Sequence, residues 1–293
     1  MPHTQLLVFA KYPEPGSVMT RLSPSIPPER AADIQRACIR LLCERAFRCW
    51  PVRPLLMITP DDSADQFRDV VGPFVRMRSQ GTGSLGDRLE RAIGRAIDEG
   101  ERAVLVIGSD SPTLPDAMIQ QAIDRLADHD AVIGPCRDGG FYLIGVRRFQ
   151  EGMLDGVMWS SDQAAVQVVR RLERLGWQLA VLDEWYDIDH IEDVKRAAED
   201  LRLQDRRDDF ELRKAMDEAL ASVGGGGGSG AGVSGGSTSC KSGSGAKKPS
   251  ASSSTGPPSK ARKPSGKTIK ASSKGATKAA RGAKKTKRSS TRV

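Results

Sequence analysis

Six charged residues stand where this chain could do chemistry: the acids Asp110, Asp138, Asp187 and Asp189, and the cations Lys11 and Arg21. Asp110 follows the apolar run 103–107 and Gly108, in the turn Ser109-Asp-Ser-Pro-Thr-Leu-Pro115. An unbroken apolar run suits a strand covered on both faces, and open α/β sheets bind ligands just beyond the carboxyl ends of their strands. A carboxylate delivered there can hold a metal ion or a ligand hydroxyl, though an aspartate equally caps a turn or a helix. Asp138, in Cys136-Arg-Asp-Gly-Gly140 between two apolar runs, reads as part of a hairpin turn that projects toward the same edge. Asp187 and Asp189 alternate in an extended segment, so both point to one side, and a single helix start does not require both. Lys11 and Arg21 bracket a loop with two prolines and Gly16, which is free to take a positive φ. Such a loop can wrap phosphates with backbone N–H groups and two cations, and it equally fits a plain surface loop. It has neither P-loop nor GxGxxG spacing. The glycines of Gln80-Gly-Thr-Gly-Ser-Leu-Gly86 precede a helix and allow close approach to its positive end, or form a tight strand-to-helix turn.

The elements that must position these groups follow from periodicity. Continuous apolar runs predict strands over 5–10, 54–59, 74–77, 103–107, 130–134, 141–146 and 178–182. Helices are predicted from Pro28 to about 47, with Ile34, Cys38, Leu41 and Leu42 on one side, and over 62–71. Leu85, Leu89, Ile93 and Ile97 recur every fourth residue in the next, followed by helices over 115–126 and 161–175. One more carries Val194, Ala197, Ala198 and Leu201, and a last runs from 206 to 223, where Gly224 ends it. This alternation predicts an α/β fold with a mostly parallel sheet flanked by helices.

Charge divides the chain at the same place. Residues 224–293 contain 16 Lys and Arg and no acid, so the overall +8 leaves −8 on residues 1–223. The predicted organisation is therefore an acidic folded domain, 1–223, and a disordered basic Gly/Ser/Ala/Lys-rich tail, 224–293, too poor in apolar side chains to offset its ordering entropy. Spread positive charge without aromatics fits salt-sensitive, nonspecific attraction to nucleic acid, with an anionic membrane surface second and a solubilising tail the plain alternative. Five cysteines (Cys38, Cys43, Cys49, Cys136 and Cys240) make no CxxC pair, which predicts neither a disulfide framework nor a zinc site and suits a reducing cytoplasm. The apolar run at 6–10 is too short for a signal peptide, and no stretch reaches bilayer length.

Six ordered motifs then carry a resemblance: Phe9-Ala-Lys-x-Pro-x-Pro-Gly-x-Val-x-Thr-Arg-Leu22, Gln80-Gly-x-Gly-x-Leu-Gly-x-Arg88, Gly108-Ser-Asp-Ser-Pro-Thr-Leu-Pro115, Gly134-Pro-x-x-Asp-Gly-Gly-x-Tyr-Leu-Ile-Gly145, Trp159-Ser, and Asp187-Ile-Asp189-x-x-Glu-Asp193. Together they resemble GT-A-type glycosyltransferases of the arsenosugar-biosynthesis kind, also called radical-SAM/selenodomain-associated transferases. These are distantly similar to 2-phospho-lactate and molybdenum-cofactor guanylyltransferases. The resemblance implies a GT-A-like, Rossmann-like fold and a nucleotide-sugar donor lying across the carboxyl edge of the sheet. Ala10, Lys11, Gly16 and Arg21 would hold base and phosphates, and Gln80, Gly81, Gly83 and Arg88 would close over the nucleoside. Asp110 would bind Mg²⁺ or Mn²⁺ with Asp189 as a second ligand, and Asp138 would bind or activate the hydroxyl of a small-molecule acceptor. One departure stands out: the family loop reads Val-Lys-Thr-Arg-Leu, whereas Met19 replaces the lysine here, one cation fewer. Two alternatives keep the fold: a nucleotidyltransferase that uses an NTP and releases pyrophosphate, and a decayed nucleotide-binding protein tethered to nucleic acid by its tail.

Overall fold

A computed structural model describes residues 4–159, 161–204 and 207–223. The predicted tail at 224–293, its disorder, its nucleic-acid partner and Cys240 lie outside these described residues. Among the described residues seven strands form one sheet: β1 (Thr4–Lys11), β2 (Arg53–Thr59), β3 (Met77–Ser79), β4 (Ala103–Gly108), β5 (Ala131–Pro135), β6 (Phe141–Val146) and β7 (Leu179–Val181). Their order is β3-β2-β1-β4-β6-β5-β7, and only β6 runs antiparallel to its neighbours. The register Phe9↔Gly108 sets the ends of β1 and β4 level, so the loops after both strands open at one edge.

The described residues also form seven helices, of which the first five cover the sheet: α1 (Pro28–Arg48), α2 (Ala64–Val71), α3 (Leu85–Asp98), α4 (Asp116–Asp128), α5 (Ala164–Arg174), α6 (Ile191–Gln204) and α7 (Phe210–Val223). Alternation along β1 shows why two layers are needed. Leu6, Val8 and Ala10 pack with α1, α2 and α4 on one face, while Leu7 packs with α3 and α5 on the other. A third core forms where α1 meets α6 and α7 around Cys38, Leu41, Leu201 and Met216. The Cys38 thiol is fully buried, and burial above all holds its pKa well above the usual value. The result is the expected α/β architecture. No described helix is long and apolar enough to cross a membrane.

Several boundaries differ from the sequence reading, among them α5, which begins at Ala164 and not at 161. The third strand is not at 74–77: Phe74 is 91% exposed and pairing begins at Met77, opposite Leu56. Gly72, at φ 82°, ends α2, and the chain reaches the edge of β2 only after the turn, where Leu56 N–H donates to the Arg76 carbonyl at 2.9 Å. The helix expected from 206 is a 3₁₀ turn at Arg207–Asp209 followed by α7.

Candidate active site

The carboxyl edge of the sheet is a cleft of about 780 Å³. Its first wall is the loop after β1. Gly16, at φ 78°, turns the chain back so that the Ser17 carbonyl accepts from Lys11 Nζ at 2.8 Å. Val18 and Leu22 bury themselves as anchors. Between them Met19 is left-handed at φ 45°, alone among the described non-glycine residues, a conformation costing about 1–2 kcal/mol. That twist starts the 3₁₀ turn Thr20–Leu22, which presents Arg21 to the cleft in an ion pair with Asp189.

The centre of the cleft is the turn after β4. A Cβ on Gly108 would lie 2.4 Å from Asp110 Oδ1, so the glycine is what lets the carboxylate fold back over the strand end. Helix α1 holds this turn from behind. Gln35 Nε2 donates to Ser109 Oγ at 2.7 Å, and the buried Arg45 donates to the carbonyls of Pro112 and Leu114 and to Asp116. The segment carrying Asp187 and Asp189 is tied to the same turn. Ile188 N–H donates to the Asp110 carbonyl at 3.0 Å, and Trp185 Nε1 to Thr113 Oγ1 at 3.2 Å. Its other side bridges β5, with Trp185 N–H donating to the Pro135 carbonyl at 3.1 Å. Asp193 accepts from the backbone of Asp189 and His190, holding both at the start of α6.

The third wall is the β5–β6 hairpin, closed by Cys136 N–H on the Gly140 carbonyl at 2.9 Å. It carries Asp138, whose Oδ1 accepts from Gly140 N–H at 2.9 Å.

Four carboxylates thus crowd one place, with Arg21 as the cation paired among them. Burial first, then repulsion by Asp110, Asp138 and Asp189, pushes the Asp187 carboxyl up to about 7. Burial also raises Asp110, reinforced by Asp189 and Asp138 and opposed by its own backbone N–H. A ligand atom from each of Cys136, Asp138 and Asp187 lies within 4.8 Å of the others, close enough to share a cation. Burial, then repulsion by Asp187, Asp110, Asp138 and Asp189, drives the Cys136 thiol far upward while no cation is bound, and carboxylate oxygens make up the rest of the donor set. Carboxylate oxygens without a thiolate suit a hard divalent cation.

A pH dependence follows. Between 3.8 and about 7 the folded protein keeps the Asp187 proton while the unfolded chain has lost it, so stability falls as pH rises through that window. In EDTA the urea midpoint should be higher near pH 5.5 than near pH 8, with the difference reduced in Asp187→Asn. An equal pH response in the two proteins would show that the crowding is not felt.

Ala10, Lys11, Arg21, Gln80, Arg88, Asp110, Asp138 and Asp189 all line this cleft. Gly16, Gly81 and Gly83 do not line it. Gly81 and Gly83 instead serve the turn, at φ 74° and 106°, beside the capping box of Ser84 and Asp87 and under Arg91, which donates to the carbonyls of Gln80 and Thr82. Gln80 is fully engaged within the protein: its amide donates to the Ala10 and Met57 carbonyls and accepts from Arg88. Sequence reasoning missed Gln35, Arg45, Phe141, Ser161 and Asp162. The first two carried a signal, polar residues at helical spacing among Ile34, Cys38, Leu41 and Leu42.

Comparison with known proteins agrees with this architecture. Residues 42–161 match the family model described as an uncharacterized protein conserved in bacteria (DUF2064). No curated protein matches the chain. Among solved structures, a candidate nucleotide-diphospho-sugar transferase of Desulfovibrio desulfuricans G20 is 29% identical at a TM-score of 0.70, covering 76% of this chain and 97% of its own. A cytidylyltransferase of Leptospira borgpetersenii serovar Hardjo-bovis is 12% identical at a TM-score of 0.47, over 76% and 97% of the two chains. A CMP:2-keto-3-deoxy-manno-octonic acid synthetase, solved with CTP, is 14% identical at 0.46, over 70% and 100%. The fold is shared with the candidate nucleotide-diphospho-sugar transferase.

Proposed function

We propose that residues 1–223 form a metal-dependent glycosyltransferase that moves a sugar from a nucleotide-sugar donor to a hydroxyl of a small acceptor. The observation carrying this reading is that cations suited to a diphosphate face a carboxylate cluster across one cleft at the carboxyl edge of the sheet. The 29% identity to a candidate nucleotide-diphospho-sugar transferase supports it.

In this reading Lys11 and Arg21 hold the diphosphate, and Arg21 exchanges its donor-free partner Asp189 for phosphate oxygens. Arg88 and the backbone after β1 face the nucleoside, with Gln80 keeping that backbone in place. Asp110 and Asp189 would hold Mg²⁺ or Mn²⁺, with Asp187 beside them as the member of the Cys136, Asp138 and Asp187 group that lends its carboxylate while Asp138 is kept for the acceptor. When bound, the cation supplies positive charge to the diphosphate as it leaves. Asp138 accepts the proton of the acceptor hydroxyl as the new C–O bond forms and the sugar–phosphate bond breaks. Lys11 and Arg21 supply fixed positive charge where negative charge develops, and the carboxylate cluster, costly to stability when empty, is already in place to receive the cation that adds to it.

A thermal-shift series on the full chain tests the proposal: UDP-, GDP-, CDP- and ADP-sugars against the four NTPs, with Mn²⁺ and with EDTA. Metal-dependent stabilisation by one nucleotide-sugar is expected. Selective stabilisation by an NTP, with pyrophosphate release, would replace glycosyl by nucleotidyl transfer. No shift with any nucleotide would leave a decayed site, the outcome Met19 would then explain.

A further inference from the structure

The cleft has a side that the donor reading leaves unused. Strand order puts the β1 loop on one side of Asp110 and the β5–β6 hairpin on the other. The lining cations Lys11, Arg21 and Arg88 come from the β1 loop and from α3. The hairpin side is built from Phe141 and Trp159, with Asp138, Ser161 and Asp162 at its rim. Arg137, in the hairpin itself, is exposed and does not line the cleft.

This wall is built to keep its shape. The Trp159 and Phe141 rings meet edge to face, centroids 6.3 Å apart. The Trp159 indole lies on Gly86, where a Cβ would come within 2.8 Å of Nε1. Gly139, at φ 88°, lets the chain at Asp162 lie directly on the hairpin, since a Cβ there would sit 2.0 Å from the Asp162 carbonyl oxygen. Ala165 N–H then donates to the Gly139 carbonyl at 2.9 Å. Two glycines thus let the aromatic segment lie flush against both α3 and the hairpin.

We infer that this wall is the acceptor subsite, and that it takes a neutral hydroxylated ring with one apolar face, such as a sugar, in preference to a phosphorylated acceptor. The inference deepens the transferase reading and rests on it for the word acceptor. Aromatic faces pack against the C–H face of a ring, and carboxylates accept from its hydroxyls. The acids Asp138 and Asp162 at this wall disfavour a second phosphate beside the donor's own, since Lys11 and Arg21 belong to the β1 side and Arg88, on the helix that Trp159 packs against, is engaged by Gln80 at 2.9 Å.

Saturation-transfer NMR on the full chain with Mg²⁺ tests this, using methyl glycosides of glucose, galactose and mannose beside the corresponding sugar 6-phosphates. At least one methyl glycoside should bind, the phosphates more weakly, and Trp159→Ala should weaken the glycoside about tenfold while Trp159→Phe retains most of it. Asp162→Lys should gain sugar-phosphate binding. Preference of the wild type for phosphates, absence of glycoside binding, or binding that survives Trp159→Ala would overturn the subsite. Should circular dichroism show Trp159→Ala unfolded, Asp162→Lys decides: no gain for phosphates overturns the inference. Nucleotide thermal shifts on the same proteins keep the two readings apart. Glycoside binding without any nucleotide shift would sink the transferase reading and leave a sugar-binding wall.

Discussion

Asp110→Asn should be inactive in glycosyl transfer and yet more stable than the wild type in EDTA. The substitution keeps the volume of the side chain and its place over Gly108 but removes a charge whose burial, and whose nearness to Asp189 and Asp138, raises its pKa. In the absence of a cation that charge is a liability, so neutralising it raises the unfolding temperature. In the proposed reading it becomes a ligand once Mn²⁺ and donor are present, and losing it should cut kcat/KM by about a thousandfold or more and erase the metal-dependent thermal shift. The opposite signs make the test sharp: a variant less stable in EDTA, or one still stabilised by Mn²⁺ and donor, removes Asp110 from the metal site.

Arg45→Met should cost about 3 kcal/mol of stability, measured by urea unfolding. Arg45 is 2% exposed and supplies donors to two carbonyls of the 109–115 turn, at Pro112 and Leu114, and to Asp116. Its guanidinium also lies 5.2 Å from the centre of the Trp50 ring, and Trp50 Nε1 donates to the same Asp116 oxygen at 2.6 Å. Methionine replaces the apolar stem but removes the donors of the Pro112 and Leu114 carbonyls, while Asp116 keeps Trp50, and the two orphaned carbonyls outweigh the retained packing. Because the turn carries Asp110, metal affinity should fall as well, although Arg45 does not line the cleft. Arg68→Met is the control, since Arg68 pairs at 3.6 Å with a fully exposed Asp65 and should change stability by less than about 0.5 kcal/mol. Equal effects from the two arginines would show that the buried network contributes nothing particular.

The gap between these arginines illustrates what a sequence can express. Both are Arg on helices, and nothing local separates a surface ion pair from a buried strut. What does separate them is the helix face. Arg45 continues the stripe of Cys38, Leu41 and Leu42, and its spacing marks it as inward, but its partners lie on a turn 67 residues or more away.

Local pattern alone determined the strands at 103–108 and 141–146, the helix with a hydrophobic side every fourth residue from Leu85, and the hairpin glycines, because these depend on neighbours in the chain. It misplaced β3, whose pairing is granted by the free edge of β2 and not by the apolar Phe74-Val75 before it. The GT-A-like arrangement was implied by the resemblance that the ordered motifs carry, and the residues by themselves gave only a mostly parallel sheet. Only the tertiary structure decided that Asp138 and Asp189 come close enough to Asp110 and Asp187 to add to the rise that burial gives those two carboxyls, that Gln80 and two of the glycines serve the backbone, and that Trp159 closes the far wall. Those outcomes depend on distances between segments far apart in the chain, set by how helices and sheet pack, and no local periodicity encodes them.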